Sequence, residues 1–110
     1  MNDAGDDIRA RVPDALAAHR LTRETVLDGG IVDRELKQLC ARAIAGEDVE
    51  PADERERAAL DWAYAIAWGG DAPWDRLHAH FSEPELVELG YATAYTLGQV
   101  HWLRTWKGAR

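Results

Sequence analysis

The chain has 110 residues, one cysteine and a formal net charge of −7, from 13 Lys and Arg against 20 Asp and Glu. That length makes one domain with a single modest core, and the acid excess argues against nucleic-acid binding, because phosphates call for a basic surface. Cys40 alone forms no internal disulfide, and the acidic start (Asp3, Asp6, Asp7) lacks the apolar stretch of a signal peptide, so the chain reads as cytoplasmic.

Residues 1–7 are polar and read as a frayed tail. A short helix is expected from Asp7 to about Arg20, with Ile8, Val12, Leu16 and His19 on one stripe and Pro13 kinking or restarting it. Thr22 to Leu27 adds a turn, and Gly29-Gly30 breaks the chain. Asp33 then caps a helix over Arg34 to Ala45 that buries Leu36, Leu39, Cys40, Ala43 and Ile44, and Gly46 ends it. A third helix follows Pro51, charged at first and apolar later, and stops at Gly69-Gly70 after Trp68. A short fourth carries Trp74, Leu77, His78 and Phe81 at helical spacing.

The last helix is expected from about Glu83 to about Trp106. Ser82 and Glu85 have the spacing of a capping box, and Arg104, Lys107 and Arg110 suit a helix C-terminus. Leu89 to Leu103 carries no formal charge. Two adjacent stripes are apolar, one through Leu86, Leu89, Thr93 and Leu97, the other through Val87, Tyr91, Tyr95 and Trp102. A helix apolar over that much of its surface is expected to be buried, in part against another subunit. The run falls short of the ~20 apolar residues of a membrane span, so no membrane partner is expected. No segment alternates with period two, so the fold class is all-α, four to five helices with a long C-terminal one. The division is a tail and short helix over 1–26 and a helical domain over 27–110.

Candidate chemistry centres on the last helix. His101 has the ionisation range of a general base, and Tyr95, Gln99 and Tyr91 are placed to share a cavity with it. Cys40, in mid-helix on an apolar stripe, reads as a structural thiol. His78 and His80 diverge on a helix and fall short of a ligand set, so neither metal nor cofactor is expected. The five tryptophans (Trp62, Trp68, Trp74, Trp102, Trp106) suit either a ligand pocket or an interface.

Three segments in order, GGIVDRELKQL (29–39), DERERAALDWA (53–63) and HFSEPELVELG (80–90), resemble the carboxymuconolactone decarboxylase family, within the alkylhydroperoxidase D-like superfamily of small helical proteins. The resemblance covers about residues 27–107. It implies an all-α homo-oligomer, commonly a trimer or hexamer, with a small-molecule ligand and either antioxidant peroxidase activity or decarboxylation of a small lactone acid. The family's redox members carry a Cys-x-x-Cys pair followed by a histidine, with an upstream glutamate as proton relay. Here Ala45 runs directly into GEDVEP, no such pair occurs, and the relay position falls near Gln38. A dithiol peroxidase needs one thiolate to attack peroxide and a second to resolve the sulfenic acid, so that activity is not expected of this chain. Two expectations remain: a divergent enzyme acting in a cavity beside His101, Tyr95 and Gln99, and a non-catalytic homo-oligomeric binding or scaffolding subunit.

Overall fold

Pro13 divides what the sequence offers as one N-terminal helix. In the computed structural model, which describes residues 3–108, α1 covers Asp6–Arg9 and α2 covers Pro13–Thr22. Proline has no N–H to donate and is preset for the first helical position, so it opens α2 where it cannot continue α1. A π-helical turn, Arg23–Leu27, extends α2. The remaining helices are α3 (Arg34–Ile44), α4 (Glu54–Trp68), α5 (Trp74–His80) and α6 (Glu83–Gly108). The described residues are thus all-helical as expected, with six helices rather than four or five, because the proline yields two pieces from one apolar stripe.

The helix starts follow their local chemistry. Asp33 accepts from the Leu36 N–H at 3.2 Å and Asp53 from the Glu56 N–H at 2.8 Å, each capping its helix. At α6 the Glu85 N–H donates to Ser82 Oγ at 3.3 Å and the Ser82 N–H donates to Glu85 Oε1 at 2.8 Å, the reciprocal pair of a capping box. Gly46, at φ 101°, takes the left-handed conformation just past α3.

The core forms where α3, α4 and the first half of α6 meet. Leu36, Cys40 and Ile44 on α3 close against Leu60 and Ala63 on α4 and Leu89 on α6, with Leu77 and Phe81 beneath. Gly90 lets the helices approach, since a Cβ there would come within 2.8 Å of the Trp62 ring. Gly98 has no such neighbour, so of Gly90 and Gly98 only Gly90 serves close approach.

A charged staple holds the Gly29-Gly30 bend. Lys37 is buried, and its Nζ donates to the carbonyls of Val26 and Gly29, both at 2.5 Å, and to Glu88 Oε2 at 3.2 Å. Glu88 also accepts from the N–H groups of Ile31 (3.0 Å) and Val32 (2.6 Å). Burial pushes the Glu88 carboxyl up, but these N–H donors and Lys37 outweigh it and hold it below the usual glutamate range. A side chain at Gly30, where φ is 89°, would collide with the Glu88 carboxylate, so the glycine makes room for the staple.

The two stripes of α6 separate. Leu86, Leu89 and Thr93 are buried, whereas Val87, Tyr91, Ala94 and Gly98 are exposed. The expected burial around the whole helix therefore does not occur within one chain, because α3 and α4 cover only one side. Among the described residues no helix is long and apolar enough to cross a membrane.

Candidate functional site

Beyond Thr93 the second stripe of α6 turns toward α1 and α2, and the contact becomes polar. A cleft of about 460 Å³ opens there, walled by Tyr91, Tyr95, Gln99 and Trp102 of α6 and by Ala15, Ala18, His19 and Thr22 of α2, with Arg9 at one end.

His19 is the hub. It sits on the α2 face that meets Tyr95 of α6 and is only 7% exposed, although Val12, on the same apolar stripe of the sequence, is 58% exposed. Nδ1 lies 2.5 Å from the Tyr95 hydroxyl and Nε2 lies 2.7 Å from Asp3 Oδ2. The two rings stack with centroids 5.8 Å apart. Burial, assisted by the Arg9 guanidinium, holds the imidazole below the ordinary histidine range. The neutral ring has one N–H and one lone pair. A carboxylate only accepts, so the proton belongs on Nε2 facing Asp3, and Nδ1 accepts from the Tyr95 O–H. Burial in turn raises the Tyr95 phenol above its ordinary value. Asp3, His19 and Tyr95 thus form a continuous proton path ending at the cleft wall.

Arg9 braces this path. Its Nη1 donates to Asp6 Oδ1 and to the Ala4 carbonyl, both at 2.9 Å. Nε and Nη2 both donate to Gln99 Oε1, at 3.2 and 2.6 Å. Its guanidinium also lies over the Trp102 ring, 5.3 Å from the centroid. The Asp3 N–H donates to Asp6 Oδ2 at 2.9 Å, and Arg23 ion-pairs with Asp3.

Asp3, Asp6 and His19 are the set among the described residues whose donor atoms come close enough for a metal ion, all within 4.8 Å. The chemistry of the set disfavours one. Arg23 and Arg9 already neutralise the two carboxylates, and the His19 nitrogen facing Asp3 carries a proton. The arrangement is suited to moving a proton.

Of the residues expected to act together, the structure joins Tyr95, Gln99 and Tyr91 and leaves out His101. His101 is exposed and lies outside the cleft. Two residues beyond Gln99 is about 200° of helical rotation, which carries it to another side of α6. The histidine beside Tyr95 and Gln99 is His19, supplied by α2. Cys40 is 1% exposed in the core, and burial pushes its thiol up to about 12. His78 is exposed, with Nδ1 at 2.8 Å from the Trp74 carbonyl and Nε2 at 2.6 Å from Glu83, so it ties α5 to α6 away from His80. Trp102 lines the cleft, Trp62 packs on Gly90, and Trp68 and Trp74 are exposed.

Asp3, Arg9 and His19 escaped the sequence reading as functional residues. Their signal was present but faint: His19 is a polar residue on an otherwise apolar stripe. No family model, curated protein or solved structure matches the chain.

Proposed function

We propose that this chain is a shortened relative of the carboxymuconolactone decarboxylase family that has left thiol chemistry and carries out acid–base chemistry on a small molecule in the cleft beside Tyr95. The observation carrying this reading is the path Asp3–His19–Tyr95, with heavy-atom separations of 2.7 and 2.5 Å, at the wall of a cleft of about 460 Å³. The Tyr95 hydroxyl takes a proton from substrate while passing its own to His19 Nδ1, and gives a proton back to substrate as His19 Nδ1 returns it. Asp3 fixes the tautomer and stabilises the imidazolium, as a carboxylate behind a histidine does in other relays. Decarboxylation of a small lactone acid, which the family resemblance implies, needs such a proton at the carbon that loses carbon dioxide. The thiol alternative lacks support, since Cys40 is buried and its thiol is held near 12.

The test runs decarboxylation of a small lactone acid, α-proton exchange of small keto acids in deuterium oxide, and peroxide consumption with dithiothreitol on the same protein. The first two are expected above background, with exchange falling about 100-fold or more in Tyr95→Phe, the usual range for a lost acid–base group. Peroxide loss is expected at the uncatalysed rate. Peroxide turnover abolished by Cys40→Ser, or exchange unchanged in Tyr95→Phe, overturns the reading.

A second reading, a non-catalytic homo-oligomeric scaffolding subunit, is favoured by a separate observation. Ile31, Val87 and Tyr91 stand 60%, 69% and 56% exposed around one shallow apolar depression. Such a patch suits a second copy of the chain. Light scattering at micromolar concentration, repeated on Val87→Glu, tests it: a trimer or hexamer reduced to single chains supports it, and a single-chain mass for the unaltered protein removes it.

A further inference from the structure

Gln99 lines the cleft one helical turn beyond Tyr95, and its amide is oriented by Arg9. Both Nε and Nη2 of Arg9 donate to Gln99 Oε1, and guanidinium groups offer no acceptor. The carbonyl end of the amide is therefore committed to Arg9. Arg9 is itself held by Asp6, Ala4 and the Trp102 ring, so the amide has little freedom to invert. Gln99 Nε2 carries two N–H donors with no hydrogen-bond partner among the described residues. Residues four apart on a helix lie side by side. The cleft wall thus presents a proton-transferring hydroxyl next to an oriented, unused amide donor, with the aromatic rings of Tyr91 and Trp102 flanking them.

We propose that Gln99 is the oxyanion donor of this site, and that the cleft takes small carbonyl compounds that react through an enolate. This rests on the acid–base reading of Tyr95. In the step, a C–H bond next to the substrate carbonyl breaks. Its proton goes to Tyr95 Oη as the Tyr95 proton passes to His19 Nδ1. The electron pair moves onto the carbonyl oxygen, whose developing charge the Gln99 amide meets. Return of a proton to carbon from Tyr95 completes the cycle, with no oxidant or reductant consumed. Where the bond that breaks is to a carboxylate carbon, carbon dioxide leaves with no electrons gained or lost overall, the same enolate is protonated by Tyr95, and the resulting tyrosinate takes its replacement proton from water in the cleft. A donor already aimed at the developing charge costs no reorganisation, and losing one such donor typically lowers turnover about 100-fold or more.

The probe is 4-nitrophenolate, a stable enolate mimic, with 4-nitroanisole as its uncharged counterpart, both titrated by calorimetry. The intact chain is expected to prefer the phenolate and to lower the ionisation midpoint of bound 4-nitrophenol, read from its absorbance. Gln99→Glu keeps an acceptor for Arg9 and removes the donor, and Gln99→Met removes both. Each is expected to lose the preference at least tenfold while still binding the anisole, with helicity checked by circular dichroism. Equal affinity for the two probes in the intact chain, absence of binding by either, or a preference unchanged in both variants overturns the assignment. The Tyr95 relay falls separately, through unchanged α-proton exchange in Tyr95→Phe. That variant is expected to retain the phenolate preference.

Discussion

The helix α6 is packed in two different ways along its length. Its first half meets α3 and α4 mainly through aliphatic surface at Leu86, Leu89 and Ala92, with the Glu88–Lys37 ion pair at the edge of that contact. Its second half meets α1 and α2 through Tyr95 and Gln99, which bond to His19 and Arg9. Apolar contact is non-directional and scales with buried area. A polar contact depends on angle, partner and protonation, and contributes little net stability. The first half of the helix therefore fixes the fold, while the second half fixes atoms. The difference teaches where to look for chemistry in a small helical protein: at the point along one helix where its packing stops being aliphatic.

The largest expected break comes at the charged staple beside the core. Glu88→Ala leaves Lys37 buried without its carboxylate and frees the Ile31 and Val32 N–H groups. The expected loss is about 3–5 kcal/mol in urea denaturation, the range for removing one member of a buried pair. A loss below about 1 kcal/mol would place Lys37 in water in solution. Next is the apolar junction itself: Leu36→Ala empties a side chain that is 1% exposed and is expected to cost about 2–5 kcal/mol by the same measurement. The polar junction sharpens the contrast. Tyr95→Phe removes one hydrogen bond and is expected to cost only about 1 kcal/mol. A cost equal to that of Leu36→Ala would erase the distinction between the two halves.

The smallest effects are the two histidine titrations, which run in opposite senses. His19 ionises below its unfolded value of 6.5, so the unfolded chain takes up the proton first. Its contribution is fully present above that value and is lost as pH falls through the lowered folded midpoint. His78 is raised by its hydrogen bond to Glu83, so its contribution is fully present below 6.5 and is lost as pH rises through the raised folded midpoint. Histidine ring signals followed by NMR should give a His19 midpoint below that of His78. Amide exchange in α1 and α2 should quicken on acidification before that in α3. The reverse order of midpoints would return a proton to His19 at neutral pH and disable it as an acceptor for Tyr95.

Much of the fold was legible because its signals are local. The Asp33 and Ser82 caps act within three residues of themselves, and Gly46 acts at its own position; the Asp53 cap is equally local, although the sequence reading places the start of α4 at Pro51. The α6 stripe that buries Leu86 and Leu89 is a periodicity within one segment. The site was half legible. Tyr95 and Gln99 stand one turn apart, so their association is also local. Their partners come from 76 and 90 residues away, and no spacing rule links His19 to Tyr95 or Arg9 to Gln99. His101 is the histidine inside the uncharged run, the one a linear reading places beside Tyr95 and Gln99. The helical period turns it from the cleft, and a histidine from another helix takes the position.

The Glu88 carboxylate reaches backbone N–H groups that precede it by 56 and 57 residues. On a ribosome, the bend at residues 28–32 is made long before the acid that secures it emerges. The three-residue caps at Asp33 and Asp53 can close as soon as their helices leave the exit tunnel, whereas the bend is held by Lys37 alone, through the Val26 and Gly29 carbonyls, until Glu88 emerges. Synthesis from the N-terminus thus delivers the Glu88 carboxylate well after the rest of the bend, and a nascent chain stalled before it leaves the Ile31 and Val32 N–H groups without their acceptor.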